Sequence, residues 1–335
     1  MSNGNFKIIN GDALETLKSF KDESIDCCIT SPPYYNLRDY GVENQIGLEK
    51  TPKEYIKKLL DVFREVKRVL KKDGTLWVNI ADSYSSSGKG AATYPTKGKQ
   101  LTNKGSINSP NISNCEWGGI RPKNLIGIPW MLAFGLRDEV GFNLRQDIIW
   151  AKPNPMPESV KDRCTKAHEY IFLFSKSNKY YFDAEAIKEP AVSVHDRRLG
   201  FGRLHYRGKR DVKQDFIESN FVKIYEKRNK RDVWTIPVKP FKEAHFATFP
   251  PELIEPCIKA GCKQNGIILD PFAGAGTTGI VALENNKNFI GIELNPKYCS
   301  IAYGRVKKTE QNDVENKIIK DNKIKQTTIF DFIDQ

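Results

Sequence analysis

Asp270-Pro271-Phe272-Ala273-Gly274-Ala275-Gly276-Thr277-Thr278-Gly279 follows the apolar run Gly266-Ile267-Ile268-Leu269 and precedes Ile280-Val281-Ala282-Leu283. The first run reads as a strand and the second as a helix, so the glycines form the turn between them. Glycine lets the backbone approach a ligand closely, and a helix N-terminus offers unpaired N–H donors. A second strand is expected over Asn288–Leu294, ending near Glu293, and a helix from Pro296. Only two βα units fit between Gly266 and the charged tail, too few for a doubly wound sheet. The missing strands must come from the N-terminal half. The fold class expected is therefore α/β, a circularly permuted Rossmann-like sheet with its cofactor loop near the end of the chain. An ordinary dehydrogenase begins with that loop.

Working outward, Phe6–Asn10 reads as a strand closed by Gly11-Asp12, and residues 13–20 as a helix. Ser24–Thr30 reads as a buried strand, stopped by Ser31-Pro32-Pro33-Tyr34-Tyr35 because two prolines cannot continue a central strand. Thr51-Pro52 opens an amphipathic helix to about Lys71, with Tyr55, Ile56, Leu59, Leu60, Phe63, Val66 and Leu70 on one face. Asp73-Gly74 then turns into the strand 75–80. Residues 83–120 are rich in Ser, Gly, Lys and Asn and read as a long loop, of a composition that stays unordered without ligand. An apolar helix near 124–137 and strands over 145–152 and 169–176 follow. Residues 244–262 read as a loop and then a helix.

Two sites stand out. Glu293, at the end of the strand after the glycine loop, has the spacing of an acid that binds ribose hydroxyls. The loop itself suits either a dinucleotide or S-adenosylmethionine. Ser31-Pro32-Pro33-Tyr34 falls at the C-terminal end of a buried strand, the edge where open α/β sheets bind ligands. Proline fixes the backbone and leaves carbonyls without a local donor. Ser31 Oγ and a proline carbonyl can together accept both hydrogens of an amino group, and Tyr34 can stack on the ring that carries it. The other reading of these residues is a proline-rich strand cap with a buried tyrosine.

In carrying both motifs the chain resembles the amino-methyltransferases of DNA, and the order of Ser-Pro-Pro-Tyr before the glycine loop is similar to their β-type permuted arrangement. The resemblance covers most of the chain and implies S-adenosyl-L-methionine as cofactor and double-stranded DNA as substrate. Asp270, Phe272, Gly274, Gly276 and Thr277 match the cofactor loop, and Glu293 matches the ribose-binding acid. Asp12 matches the acid near the cofactor adenine, and His245 and Phe246 fall in the segment packing over the methionine moiety. Ser31, Pro32, Pro33 and Tyr34 match the catalytic motif. The target base would be flipped out of the duplex, since its amino group is inaccessible inside it. Ser31, where adenine-modifying relatives more often carry Asp, points to cytosine N4, with adenine N6 as the alternative. No cysteine sits in a Pro-Cys corner after a strand, since Pro256-Cys257 falls within an expected helix. C5-cytosine chemistry is disfavoured accordingly.

Residues 184–232 fall where the family places its target-recognition domain, and Arg197, Arg198, Arg203, Arg207 and Arg210 are candidates for guanine or phosphate contacts. For any single arginine a solvated, phosphate-only role is the simpler reading. The expected organisation is thus 1–183 and 233–306 as the two halves of the methyltransferase domain, 184–232 between them, and 307–335 as a charged tail. In that tail Gln326, Ile329, Phe332 and Ile333 resemble the short motif that docks replication proteins onto sliding clamps. The alternative is that these apolar side chains fold back on the enzyme's own core. A restriction-modification setting would add a cognate restriction endonuclease.

Bulk properties agree. The net charge of +12 favours a polyanionic partner. Seven scattered cysteines and four histidines show no metal-binding spacing, and no metal is expected. No apolar run approaches the ~20 residues of a membrane span, and the N-terminal residues lack a signal-peptide layout, so a cytoplasmic, nucleoid-associated protein is expected. Three rivals remain. An RNA or protein N-methyltransferase would usually carry Asn-Pro-Pro-Tyr in unpermuted order. A nicotinamide oxidoreductase has no use for Ser-Pro-Pro-Tyr, and a non-catalytic DNA-binding module has none for the cofactor loop.

Overall fold

The computed structural model describes residues 5–37, 40–85, 118–191, 226–239 and 249–311. In chain order its main elements are β1 (Phe6–Asn10), α1 (Ala13–Lys18), β2 (Ile25–Thr30), α2 (Pro52–Val69), β3 (Leu70–Ile80), α3 (Ile128–Asp138), β4 (Asn143–Ala151), β5 (His168–Ser175), β6 (Glu189–Pro190), β7 (Lys227–Arg228), β8 (Val233–Thr235), α4 (Pro251–Gly261), β9 (Ile267–Asp270), α5 (Thr277–Glu284) and β10 (Asn288–Glu293). A last helix, α6, runs from 296 to 311 among the described residues. The chain divides into two compact units, Met1–Phe182 with Asp232–Gln335, and Asp183–Arg231.

The larger unit is built on an eight-stranded sheet in the order β1-β10-β9-β2-β3-β5-β4-β8. Every neighbouring pair is parallel except the two that β5 makes with β3 and β4. The central strands β2 and β9 come from opposite ends of the chain, with Cys27 beside Ile268 and Cys28 beside Leu269. The sheet is thus the permuted doubly wound arrangement. From β9 the chain winds outward through β10, and from β2 it winds the other way through β3. Between them lies the switch point where such sheets bind ligands.

β2 is buried along its whole length, and its two polar side chains are paired: Asp26 accepts from Lys71 and from Ile267 N, and Thr30 donates to Asp270. α2 starts on Thr51, whose side chain accepts from Glu54 N, with Pro52 in the first turn. Its stripe of Tyr55, Leu59, Leu60, Phe63 and Val66 is buried, each side chain contributing roughly 1.5–3 kcal/mol of hydrophobic stabilisation. Two boundaries differ from the expectation. α2 passes into β3 at Leu70, which already pairs with Ile25, so the residues read as a turn belong to the strand. α6 continues past Lys307 to residue 311, and Ala302 and Val306 on its inner face are fully buried. The edge strand β8 was not anticipated at all.

In the smaller unit, the described residues form a two-stranded antiparallel ladder of β6 and β7. Glu189 bridges Arg228 Nε at 2.9 Å and Arg231 Nε at 2.7 Å. Arg197, Arg198, Arg203, Arg207 and Arg210 lie outside the described residues, as do His245, Phe246, most of the loop 83–120, and the tail residues Gln326, Ile329, Phe332 and Ile333. Among the described residues no helix is long and apolar enough to cross a membrane.

Candidate active site

Parallel strands present their C-terminal ends on one edge, and antiparallel β5 presents its N-terminal end there. The groups that follow each strand therefore converge: Gly11 and Asp12 after β1, Glu293 ending β10, the glycine loop after β9, Ser31 after β2, Asn79 near the end of β3, Lys152 after β4 and Glu169 at the start of β5. All of them line one cavity of about 490 Å3. Of the sequence-predicted residues described, Ser31, Pro32, Pro33, Tyr34, Asp12, Asp270, Phe272, Gly274, Thr277 and Glu293 are on its wall.

The two motifs are joined directly. Thr30 Oγ1 donates to Asp270 Oδ1 at 2.7 Å. Asp270 also accepts from Thr278 Oγ1 at 2.6 Å and from Phe272 N at 3.1 Å. Its carboxylate is buried and fully engaged, so it holds the two strand ends in register and shapes the loop. Burial pushes its pKa up to about 6, against the pull of those three donors.

The glycine loop is shaped from both sides. Gly274 and Gly276 have φ of +51° and +78°, a conformation that costs a side chain strain. A Cβ on Gly276 would meet Ala302 of α6 at 3.0 Å, so this glycine serves packing; unlike Gly274 and Thr277 it is not on the cavity wall. Glu293 Oε2 accepts from Gly274 N at 2.9 Å and Oε1 from Asn295 N at 2.8 Å. Burial raises the Glu293 pKa, opposed by these N–H groups. The carboxylate on the Gly274 N–H sets acceptor lone pairs and negative charge at the mouth of the loop. Ribose hydroxyls and a sulfonium cation suit the same groups. Asp12 caps α1, accepting from Glu15 N at 3.0 Å, and faces the same cavity. The donor set therefore fits S-adenosylmethionine.

The Ser-Pro-Pro-Tyr corner is anchored from α2, where Tyr55 Oη donates to the Pro33 carbonyl at 2.8 Å. That engages Pro33 in scaffolding. The Tyr34 hydroxyl does not stand alone in the cavity: it donates to Glu169 Oε2 at 2.7 Å and lies 3.2 Å from Asn79 Oδ1 and 3.5 Å from Ser31 Oγ. Glu169 pairs with Lys152, whose ammonium also sits 4.3 Å from the centre of the Trp150 ring. Asn79, Trp150, Lys152 and Glu169 were missed from sequence. The available signal was polar residues inside apolar strands, Asn79 in Trp77–Ile80 and Glu169 ahead of Tyr170–Phe174.

A switch-point cavity lined by both a carboxylate-braced glycine loop and the Ser-Pro-Pro-Tyr corner is the arrangement expected of an S-adenosylmethionine-dependent methyltransferase. The comparisons give the family. The DNA methylase family of N6- and N4-methyltransferases matches residues 25–304, and the chain belongs to it. Type II methyltransferase M.SmaI of Serratia marcescens is 47% identical over 300 residues, 90% of each chain. Type II methyltransferase M.Cfr9I of Citrobacter freundii is 44% identical over 305 residues, covering 91% of this chain and 89% of that one. Among solved structures, the cytosine-N4-specific PvuII DNA methyltransferase superposes with a TM-score of 0.59 at 20% identity, over 92% of this chain and 93% of the other. A Thermus thermophilus chain described as a DNA modification methylase, complexed with S-adenosyl-L-methionine, gives 0.55 at 23%, over 91% and 94%. Both structures share the fold. The protein is thus a DNA methyltransferase of the family that methylates exocyclic amino groups, and S-adenosylmethionine is that family's methyl donor.

Proposed function

We propose that the chain methylates the N4 amino group of cytosine at one duplex sequence, as the modification half of a restriction-modification system with a cognate endonuclease. The observation that carries the reading is Ser31 at the end of β2, on the wall of the cavity that also holds Glu293 and the glycine loop. The setting is supported by the Type II methyltransferases to which the chain is similar.

S-adenosylmethionine supplies, when bound, a methyl group activated by its sulfonium charge. The protein then needs to position the acceptor nitrogen in line with that methyl, and to assist a poor nucleophile whose lone pair is delocalised into the ring. Ser31 Oγ and the Pro32 carbonyl accept the two amino hydrogens and favour the more sp3-like, positively charged transition state. Pro33, held by Tyr55, fixes the corner. The Tyr34 ring stacks on the flipped base. Asp12, Phe272, Gly274, Thr277 and Glu293 hold the cofactor, with Glu293 moving its acceptor from loop N–H groups toward ribose hydroxyls. Residues 184–232 read the sequence, and the tail around Gln326, Ile329, Phe332 and Ile333 is the candidate sliding-clamp contact. Single-turnover transfer from labelled S-adenosylmethionine to cytosine-containing duplexes, with Ser31→Ala as the variant, tests the assignment. Normal transfer by that variant would remove Ser31 from the chemistry.

A further inference from the structure

The Tyr34 hydroxyl has one proton and three oxygen neighbours: Glu169 Oε2 at 2.7 Å, Asn79 Oδ1 at 3.2 Å and Ser31 Oγ at 3.5 Å. Asn79 Nδ2 donates to the Tyr170 carbonyl at 3.1 Å and to Glu169 Oε2 at 3.2 Å, which fixes the amide and turns its oxygen toward Tyr34. Glu169 is buried, and its other oxygen is held by Lys152. Two of the three neighbours of the phenol are thus acceptors only. Burial beside the Glu169 charge also keeps Tyr34 protonated, its pKa pushed well above the ordinary tyrosine value. The phenolic proton must point inward, leaving a phenolic lone pair for the Ser31 proton. Ser31 Oγ then presents lone pairs, and no proton, in its remaining directions.

That polarity is what an incoming amino group requires. Met by a hydroxyl that donates outward, its hydrogens would face another hydrogen. We propose that Glu169, anchored by Lys152, is a positioning residue for methyl transfer: it fixes the donor direction of Tyr34 and, through it, makes Ser31 an acceptor toward the substrate amino group. The proposal rests on the reading of Ser31 as an amino-group acceptor. An amide at position 169 would have the same shape, but its NH2 can donate to Tyr34 and release the phenolic proton toward Ser31.

The test compares Glu169→Gln, Tyr34→Phe and the double variant, with Ser31→Ala alongside. Single-turnover rates are measured at saturating S-adenosylmethionine and duplex DNA, cofactor affinity by calorimetry and DNA affinity by fluorescence anisotropy. Glu169→Gln and Tyr34→Phe should each slow transfer by ~10–100-fold, the scale of losing one oriented transition-state hydrogen bond. Both affinities should stay within about twofold of the unsubstituted protein, since neither substitution removes a ground-state contact with either ligand. The double variant should be no slower than the slower single variant, because Glu169 acts only through Tyr34. A normal rate for Glu169→Gln, or multiplying effects in the double variant, would overturn the proposal. If Glu169→Gln fails to bind cofactor through misfolding, Tyr34→Phe decides alone, since it keeps the ring, the carboxylate and Lys152, and a normal rate there would overturn the proposal equally. A slow Ser31→Ala beside a normal Glu169→Gln would sink only the positioning role. A normal Ser31→Ala would sink the reading beneath it.

Discussion

Thr30 and Asp270, 240 residues apart in the chain, are joined by a 2.7 Å side-chain hydrogen bond at the centre of the sheet. Thr30 ends β2 and leads into Ser31. Asp270 ends β9 and leads into the glycine loop. The bond ties the two chemical motifs together at the switch point.

The stability of this junction should depend on pH in a defined direction. The Asp270 pKa is raised to about 6 in the folded protein, chiefly by burial, from an unfolded value near 4. Between these pH values the native state binds the extra proton, so unfolding free energy falls as pH rises from ~4 to ~6 and levels off above. Asp270→Asn removes that dependence. Urea unfolding of both proteins should show the difference, variant minus parent, growing by about 3 kcal/mol across this window. A constant difference would contradict the assignment of Asp270 as a buried, high-pKa carboxylate.

Ser31→Ala and Tyr34→Ala are expected to lose ~100-fold or more in single-turnover methyl transfer with cofactor binding preserved. Their side chains follow β2, whereas the loop N–H groups follow β9 and Glu293 ends β10. Calorimetry alongside the rate measurement checks both halves of this expectation.

Glu293→Ala should weaken S-adenosylmethionine binding by about tenfold or more, the worth of a hydrogen-bonded charged acceptor. Gly276→Val acts differently. Its φ of +78° and the 3.0 Å approach of a Cβ to Ala302 predict a destabilised fold, by roughly 1–3 kcal/mol or more. Ligand binding separates the two cases: cofactor affinity measured well below each unfolding midpoint should fall for Glu293→Ala, which also leaves the Gly274 and Asn295 N–H groups without that acceptor, whereas Gly276→Val should show its main loss in the ligand-free midpoint.

The sheet was readable because its central strands are short apolar runs bounded by Gly, Pro and charge, as in Ile25–Thr30 and Ile267–Asp270. The permutation followed from the position of the glycine loop, since two βα units cannot make the sheet alone. Other features left no local signal. β8 is three residues long, and its Trp234 is buried only because β4 lies beside it. The helix past Lys307 has charged residues outward, and only the packing of Val306 near Gly276 and Gly279 shows its inner face. Lys152 and Glu169 belong to the site through the pairing of β4 with β5, which sets Trp150 beside Glu169. No spacing within either strand reveals that pairing. Asp270, expected as part of the cofactor loop, lines the cavity with its carboxylate engaged by three protein donors, a network that joins two ends of the chain and leaves no local signal.

Residues 184–232 are proposed to carry sequence recognition. Exchanging them for the matching segment of a relative with another recognition sequence should change which sites in a plasmid become methylated, as read by single-molecule sequencing. An unchanged pattern would remove recognition from this segment.

The central claim is tested most directly by identifying the product. The purified protein is incubated with S-adenosylmethionine and genomic DNA from an unmodified host, and the DNA is digested to nucleosides for mass spectrometry. The account predicts N4-methylcytosine. N6-methyladenine would contradict the cytosine assignment drawn from Ser31, and the absence of any methylated nucleoside would contradict the account of the site as a whole.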